Sequence, residues 1–153
     1  MRFVRALDIM DEKILEQLKL LNRYVQYLTE IAQSNRSAFI DDFIVRAAAE
    51  RYLQLAIECC INTGNRILSV IQMKEPVSTP ETYADIVYQL GKLGILPEDF
   101  VETMIRMVRF RNRIVHMYWD IDPEQLYDIL QNHMTDFTRF REYVVDYLNR
   151  TSL

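Results

Sequence analysis

Ten consecutive residues, Arg111-Asn112-Arg113-Ile114-Val115-His116-Met117-Tyr118-Trp119-Asp120, gather a run of arginines, one of two histidines and the single tryptophan. An imidazole can move a proton near neutral pH. A guanidinium can hold an anion through paired, charge-assisted hydrogen bonds. Projected on a helical wheel, Val101, Met104, Val108, Val115 and Tyr118 form one apolar seam with Arg111 in its middle. Asn112 and His116, four apart, lie together on one edge of that seam beside Ile105. Arg106, Arg109 and Arg113 occupy the far side. A guanidinium inside an apolar stripe is costly unless it is paired or faces a cleft, so Arg111 stands out.

Each of these residues also has a plain structural reading. A lone helical histidine is more often packed or exposed than catalytic. Arg106, Arg109 and Arg113 could form a solvated face or a local basic patch. Tyr118 and Trp119 could be core and boundary aromatics. Arg111 could pair with a buried carboxylate, Glu50 or Glu58 on an earlier helix, and hold that helix in place.

The elements that must position these groups are helical. At 153 residues, half of them hydrophobic and 26% charged, the chain is one domain with room for a core. Three glycines and four prolines leave little scope for hairpins or phosphate-cradling glycine loops. No apolar run nears the roughly 18 residues of a membrane span. MRFVRALDIMDE lacks the apolar centre of a signal peptide, which points to the cytoplasm. Adjacent Cys59 and Cys60 on a helix point about 100° apart and read as buried thiols. Two cysteines and two separated histidines argue against a metal site, and no cofactor is implied. A net charge of −4 argues against broad nonspecific nucleic-acid binding.

The first helix is expected over about 10–34, on the heptad seam Ile14, Leu18, Leu21, Val25, Leu28 and Ala32. The second, over about 38–73, is apolar on two sides. Ile44, Ala48, Leu55 and Cys59 make one stripe; Leu53, Ile57, Ile61 and Leu68 make the other. Such a helix is central, or a second subunit covers it. Gly64 within it marks a close approach. Thr79 and Pro80 are expected to start a short helix reaching Leu90, before Gly91 and Gly94. Pro97 starts the fourth. Asp122, Pro123 and Gln125 open a last helix, as a capping box, that runs to near residue 149. The fold class is all-α, an antiparallel bundle of about five helices.

The string RNRIVHMYWDID at 111–122 resembles the signature of HEPN-domain toxins of the HepT type. That signature is an Arg, four residues, a His, one more residue and a Tyr. It maps onto Arg111, His116 and Tyr118, with Asn112 as the polar residue after the Arg. RAAAERYLQLAIECCINTGNRIL at 46–68 and YADIVYQLGKLGILPEDF at 83–100 are similar to that family's flanking helices. The resemblance covers all but about nine N-terminal residues, which would be an extension on a single HEPN-like domain.

The resemblance implies a metal-independent endoribonuclease toxin of a type VII-like toxin–antitoxin pair, acting as a homodimer on RNA. It implies His116 as general acid or base, Arg111 as the clamp on the phosphorane, and Asn112 as an orienting group. Arg109 and Arg113 would contact the RNA backbone. The partner would be a minimal nucleotidyltransferase antitoxin that attaches AMP to Tyr118. Arg111 and His116 diverge by about 140° on a regular helix, so they converge only over a cleft edge, a distorted helix or two subunits. The alternative function is a non-catalytic HEPN module that binds a nucleotide or a nucleotidyltransferase. A plain helical scaffold is the third reading.

Overall fold

The computed structural model describes residues 2–117, 119 and 121–151, with side chains described from Glu12 onward. Among them there are seven helices and no strand. The first, α1 (Arg2–Ile31), starts earlier than expected and buries Ile14, Leu18, Leu21 and Leu28, as the heptad seam requires. Val25 and Ala32 are half-buried at the seam's edge.

The expected second helix is broken in two. The short α2 (Arg36–Asp41) ends where the Asp42 N–H meets the Phe39 carbonyl. Asp42 then caps α3 (Phe43–Gln72), its Oδ1 accepting from the N–H groups of Ile44 (3.0 Å) and Val45 (3.2 Å). An aspartate that satisfies orphan N–H groups starts a new helix better than it continues an old one. Phe39 is anchored in the core, its ring 5.4 Å from that of Tyr127.

Helix α3 is the spine. It runs antiparallel to α1: Tyr52 packs on Tyr24 and Tyr27, and Ile67 and Val70 lie near Ile14. Its two apolar stripes have different fates. Leu53, Ile57, Ile61 and Leu68 are core, whereas on the other stripe Ile44 is 66% exposed and Ala48 and Leu55 are half-buried. Cys59 and Cys60 are both buried and free.

The short helix α4 (Tyr83–Lys92) is capped by Thr82, not Thr79. Thr82 Oγ1 accepts from the Asp85 N–H while Asp85 Oδ2 accepts from the Thr82 N–H, a reciprocal capping box. Gly91 lies inside the helix against Val101. The chain leaves through Gly94 at φ 74°, with Ile95 N–H bonded to Leu90 O and Gly94 N–H to Gly91 O. This is a Schellman closure, which needs a left-handed residue.

Pro97 caps α5 (Glu98–His116) without a side-chain bond. The expected last helix is also two, α6 (Pro123–Asn132) and α7 (Thr135–Thr151), parted at His133 and Met134. Asn132 and His133 are weak helix formers, and the His133 N–H closes α6 on the Ile129 carbonyl. Asp122 caps α6, but Gln125 forms no capping box; its Oε1 takes a hydrogen bond from Arg113. Two breaks thus turn about five expected helices into seven. The core centres on Phe39, Phe100 and Phe140, all fully buried.

Candidate active site

Helix α5 buries Val101, Met104, Ile105 and Val108 on one side and Phe110 and Ile114 on another. Arg111 continues the first of these sides, with its side chain only 14% exposed. Its partner is Glu58 of α3, not Glu50. Glu58 Oε1 accepts from both Nε (3.1 Å) and Nη2 (2.9 Å) of Arg111. The same oxygen accepts from Gln54 Nε2, one turn earlier on α3, at 3.0 Å. The guanidinium also lies over the Tyr83 ring of α4, 5.0 Å from its centroid. Three helices therefore converge on one cation.

Nη1 of Arg111 donates to Asn112 Oδ1 at 3.2 Å, so the motif's asparagine is engaged by the arginine. A guanidinium carries five N–H groups. Three of them are used by Glu58 and Asn112 among the described residues. Among the described residues, one N–H on Nη1 and one on Nη2 stay uncommitted.

His116 is the last residue of α5 and is exposed. Among the described residues no hydrogen bond or ion pair joins it to Arg111. The helix is regular from Glu98 to His116, so the 140° divergence expected from the wheel stands: Arg111 faces α3 and α4, and His116 faces outward. Val115 of the seam is half-buried. Tyr118 lies outside the described residues. Its neighbours Met117 and Trp119 are both exposed, Trp119 by 71%.

The remaining arginines are on the outer face. Arg106 and Arg109 are exposed, and Arg106 Nη2 bonds Thr103 of its own helix. Arg113 is half-buried and donates to Gln125 of α6 at 3.2 Å, tying the end of α5 to the following helix. Charge along α5 is segregated, with Glu98, Asp99 and Glu102 in its opening turns and Arg106, Arg109, Arg111, Arg113 and His116 after them. An anionic polymer would be attracted to the C-terminal half alone.

Burial, reinforced by the adjacent Glu58 charge, pushes the Cys59 thiol up to about 11. Cys60 is raised too, by burial first and Cys59 second. Burial also raises the Glu50 carboxyl, partly offset by Arg46. Among the described residues no group of three His, Cys, Asp or Glu side chains is placed to hold a metal ion. None of the helices described is long and apolar enough to cross a membrane.

Gln54 and Tyr83 were not singled out in the sequence. Gln54 has a faint signal, since it stands four residues before Glu58 on one helix face. Tyr83 has none, because only the docking of α4 brings its ring to Arg111.

Known proteins share this architecture. The chain is 26% identical over 132 residues to a tRNA nuclease HepT of Aphanizomenon flos-aquae, covering 86% of this chain and 87% of that protein. It is 22% identical over 135 residues to an mRNA nuclease HepT of Shewanella oneidensis, covering 88% and 98% respectively. Its fold matches the tri-AMPylated Shewanella oneidensis HEPN toxin solved in complex with its MNT antitoxin. That match has a TM-score of 0.79 at 22% identity, over 87% of this chain and 96% of that one. The ribonuclease HepT-like family model matches residues 14–144, most of the sequence, and the chain belongs to that family.

Proposed function

We propose that this protein is the RNA-cleaving toxin of a toxin–antitoxin pair, an endoribonuclease that works without a metal ion. The observation that carries the reading is the Arg111 guanidinium. It is pinned by Glu58 and Asn112 yet, among the described residues, keeps two N–H groups without a partner, on the helix that ends at the exposed His116. In the reaction a ribose 2′-oxygen attacks the adjacent phosphorus and the bond to the 5′-oxygen breaks. The products are a 2′,3′-cyclic phosphate and a free 5′-hydroxyl. His116 takes the 2′ proton or returns one to the 5′-oxygen. The free N–H groups of Arg111 meet the charge that builds on the phosphorane oxygens. Asn112 holds Arg111 and lies one turn before His116. Arg109 and Arg113 contact the RNA backbone on the outer face.

Because Arg111 and His116 point in different directions, the working unit is a homodimer in which two α5 helices share one groove. The half-open α3 stripe, with Ile44 at 66% exposure, supports such a partner. The antitoxin is a minimal nucleotidyltransferase that attaches AMP to Tyr118. The relatives' named substrates differ, one tRNA and one mRNA, so RNA is the class proposed here.

The test is RNA cleavage in EDTA by protein made without a nucleotidyltransferase, comparing wild type with His116→Ala. Wild type should cut and leave 2′,3′-cyclic phosphate ends, and the variant should not. RNA bound but uncut by both proteins would make this a binding module instead. For the modification, coexpression with the nucleotidyltransferase should add one or more AMP masses to the peptide holding Tyr118. An unmodified peptide would sink that part.

A further inference from the structure

Resting on the ribonuclease reading above, we infer that Glu58 is a positioning residue for the reaction and that Tyr83 assists it, both acting through Arg111. A flexible arginine side chain can hold a phosphate in many poses, and few of them match a transition state. Here the freedom of the guanidinium is removed from two directions. Glu58 Oε1 takes Nε and Nη2 at 3.1 and 2.9 Å and fixes the group's rotation in its own plane. The Tyr83 ring, 5.0 Å from the guanidinium carbon, fixes the tilt of that plane.

Glu58 is itself held. Gln54 Nε2 donates to the same Oε1 at 3.0 Å, so that oxygen collects three donors. The carboxylate cannot swing off Arg111 without breaking all three bonds. With the Nε edge of the guanidinium bound to Glu58, the uncommitted N–H groups belong to the two terminal nitrogens. Those are the donors left for a phosphorane. The pair is also only partly buried, at 14% for the Arg111 side chain and 27% for Glu58. That exposure leaves an opening through which a phosphate can reach the guanidinium.

Positioning of this kind acts on the rate of the chemical step more than on RNA capture, which the other arginines share. Glu58→Ala should lower kcat by about ten- to a hundredfold, with KM changed less than about threefold. Glu58→Gln keeps an oxygen that can accept from Arg111 and should recover most of the rate. Tyr83→Leu, at a position 42% exposed, should show a smaller kcat loss with the same constancy of KM.

The experiment is single-turnover cleavage of one labelled RNA in EDTA by the full-length wild type, Glu58→Gln, Glu58→Ala and Tyr83→Leu. Thermal melts of each are run alongside. A kcat loss in Glu58→Ala, restored by Gln, supports the inference. Two results overturn it: Glu58→Ala cutting at the wild-type rate, or Glu58→Gln as slow as Ala with both melting early, the mark of a merely structural pair. If Glu58→Ala fails to fold, Tyr83→Leu decides: a kcat loss at unchanged KM and wild-type melting temperature supports positioning, and an unchanged kcat overturns it. These outcomes all require a wild type that cuts and a His116→Ala that does not. A wild type that fails to cut removes the ribonuclease reading itself.

Discussion

A Cβ built on Gly64 of α3 would lie 2.8 Å from Cδ1 of Leu90 on α4, closer than packed carbon atoms approach. Ile86 Cγ2 closes the same space at 2.9 Å. The two helices touch backbone to side chain here, and this contact sets α4, with Tyr83 at its start, against the spine. Gly64→Val should therefore destabilise the protein by about 2 kcal/mol through overpacking. A fall in the urea midpoint with an unchanged slope would bear this out. A variant as stable as wild type would mean that α4 can shift at no cost.

Phe140 of α7 is fully buried. Phe140→Ala should cost about 3–5 kcal/mol, the loss expected when a buried aromatic leaves a cavity that closes only in part. Denaturant unfolding of the purified variant measures it. A loss below about 1 kcal/mol would show that α7 is not part of the same cooperative core.

Two cation–carboxylate pairs differ in setting. Arg36 bonds Glu124 across an exposed surface, with side chains 61% and 47% accessible. Arg36→Ala should cost less than about 1 kcal/mol, and added salt should shrink that cost further. Arg111→Ala, by contrast, leaves the Glu58 carboxylate without its cation and should cost more, in the range of about 1–3 kcal/mol. Equal losses at the two sites would contradict the difference in burial.

Asn112→Ala removes the acceptor for Arg111 Nη1. Stability should fall by about 1 kcal/mol or less. RNA cleavage should slow by roughly tenfold if the asparagine helps hold the guanidinium. A full rate in a folded variant would leave Asn112 with no part in the reaction.

Alkaline pH should weaken the fold through Cys59. Its thiol is raised from 9.0 to about 11 in the folded chain, so the native state holds this proton more tightly than the unfolded state. The associated stability is intact below about pH 9 and is lost as pH rises toward 11. Tyr147, raised by burial, acts in the same direction. Urea midpoints at pH 8 and 10.5 test this, with Cys59→Ala as a control that should lose less. Native protein should also react slowly with thiol reagents at pH 8.

Much of the bundle was legible in the primary structure because helices are built from local periodicity. The α1 seam, the core stripe Leu53, Ile57, Ile61 and Leu68, and the close approach at Gly64 all follow from residue spacing. The breaks at Asp42 and at His133–Met134 were missed. Apolar periodicity runs through both, and only the hydrogen bonds of the folded chain show where one helix ends. The caps at Thr82 and Gln125 were misassigned for a related reason. Thr79 and Thr82 can both cap, and Gln125 can bond its own helix or Arg113; the competition is settled by packing.

Residue spacing alone makes this an all-α chain and places Arg111, Asn112 and His116 on one helix. Those properties depend on which residues stand three, four and five apart. The same spacing also marks Arg111 as a guanidinium in an apolar seam and so requires a partner for it. Which carboxylate answered, Glu58 rather than Glu50, was decided only by tertiary structure. So was the arrival of Gln54 and Tyr83 at the same cation. Contacts between residues 53 apart depend on how three helices dock, and no local pattern encodes that angle.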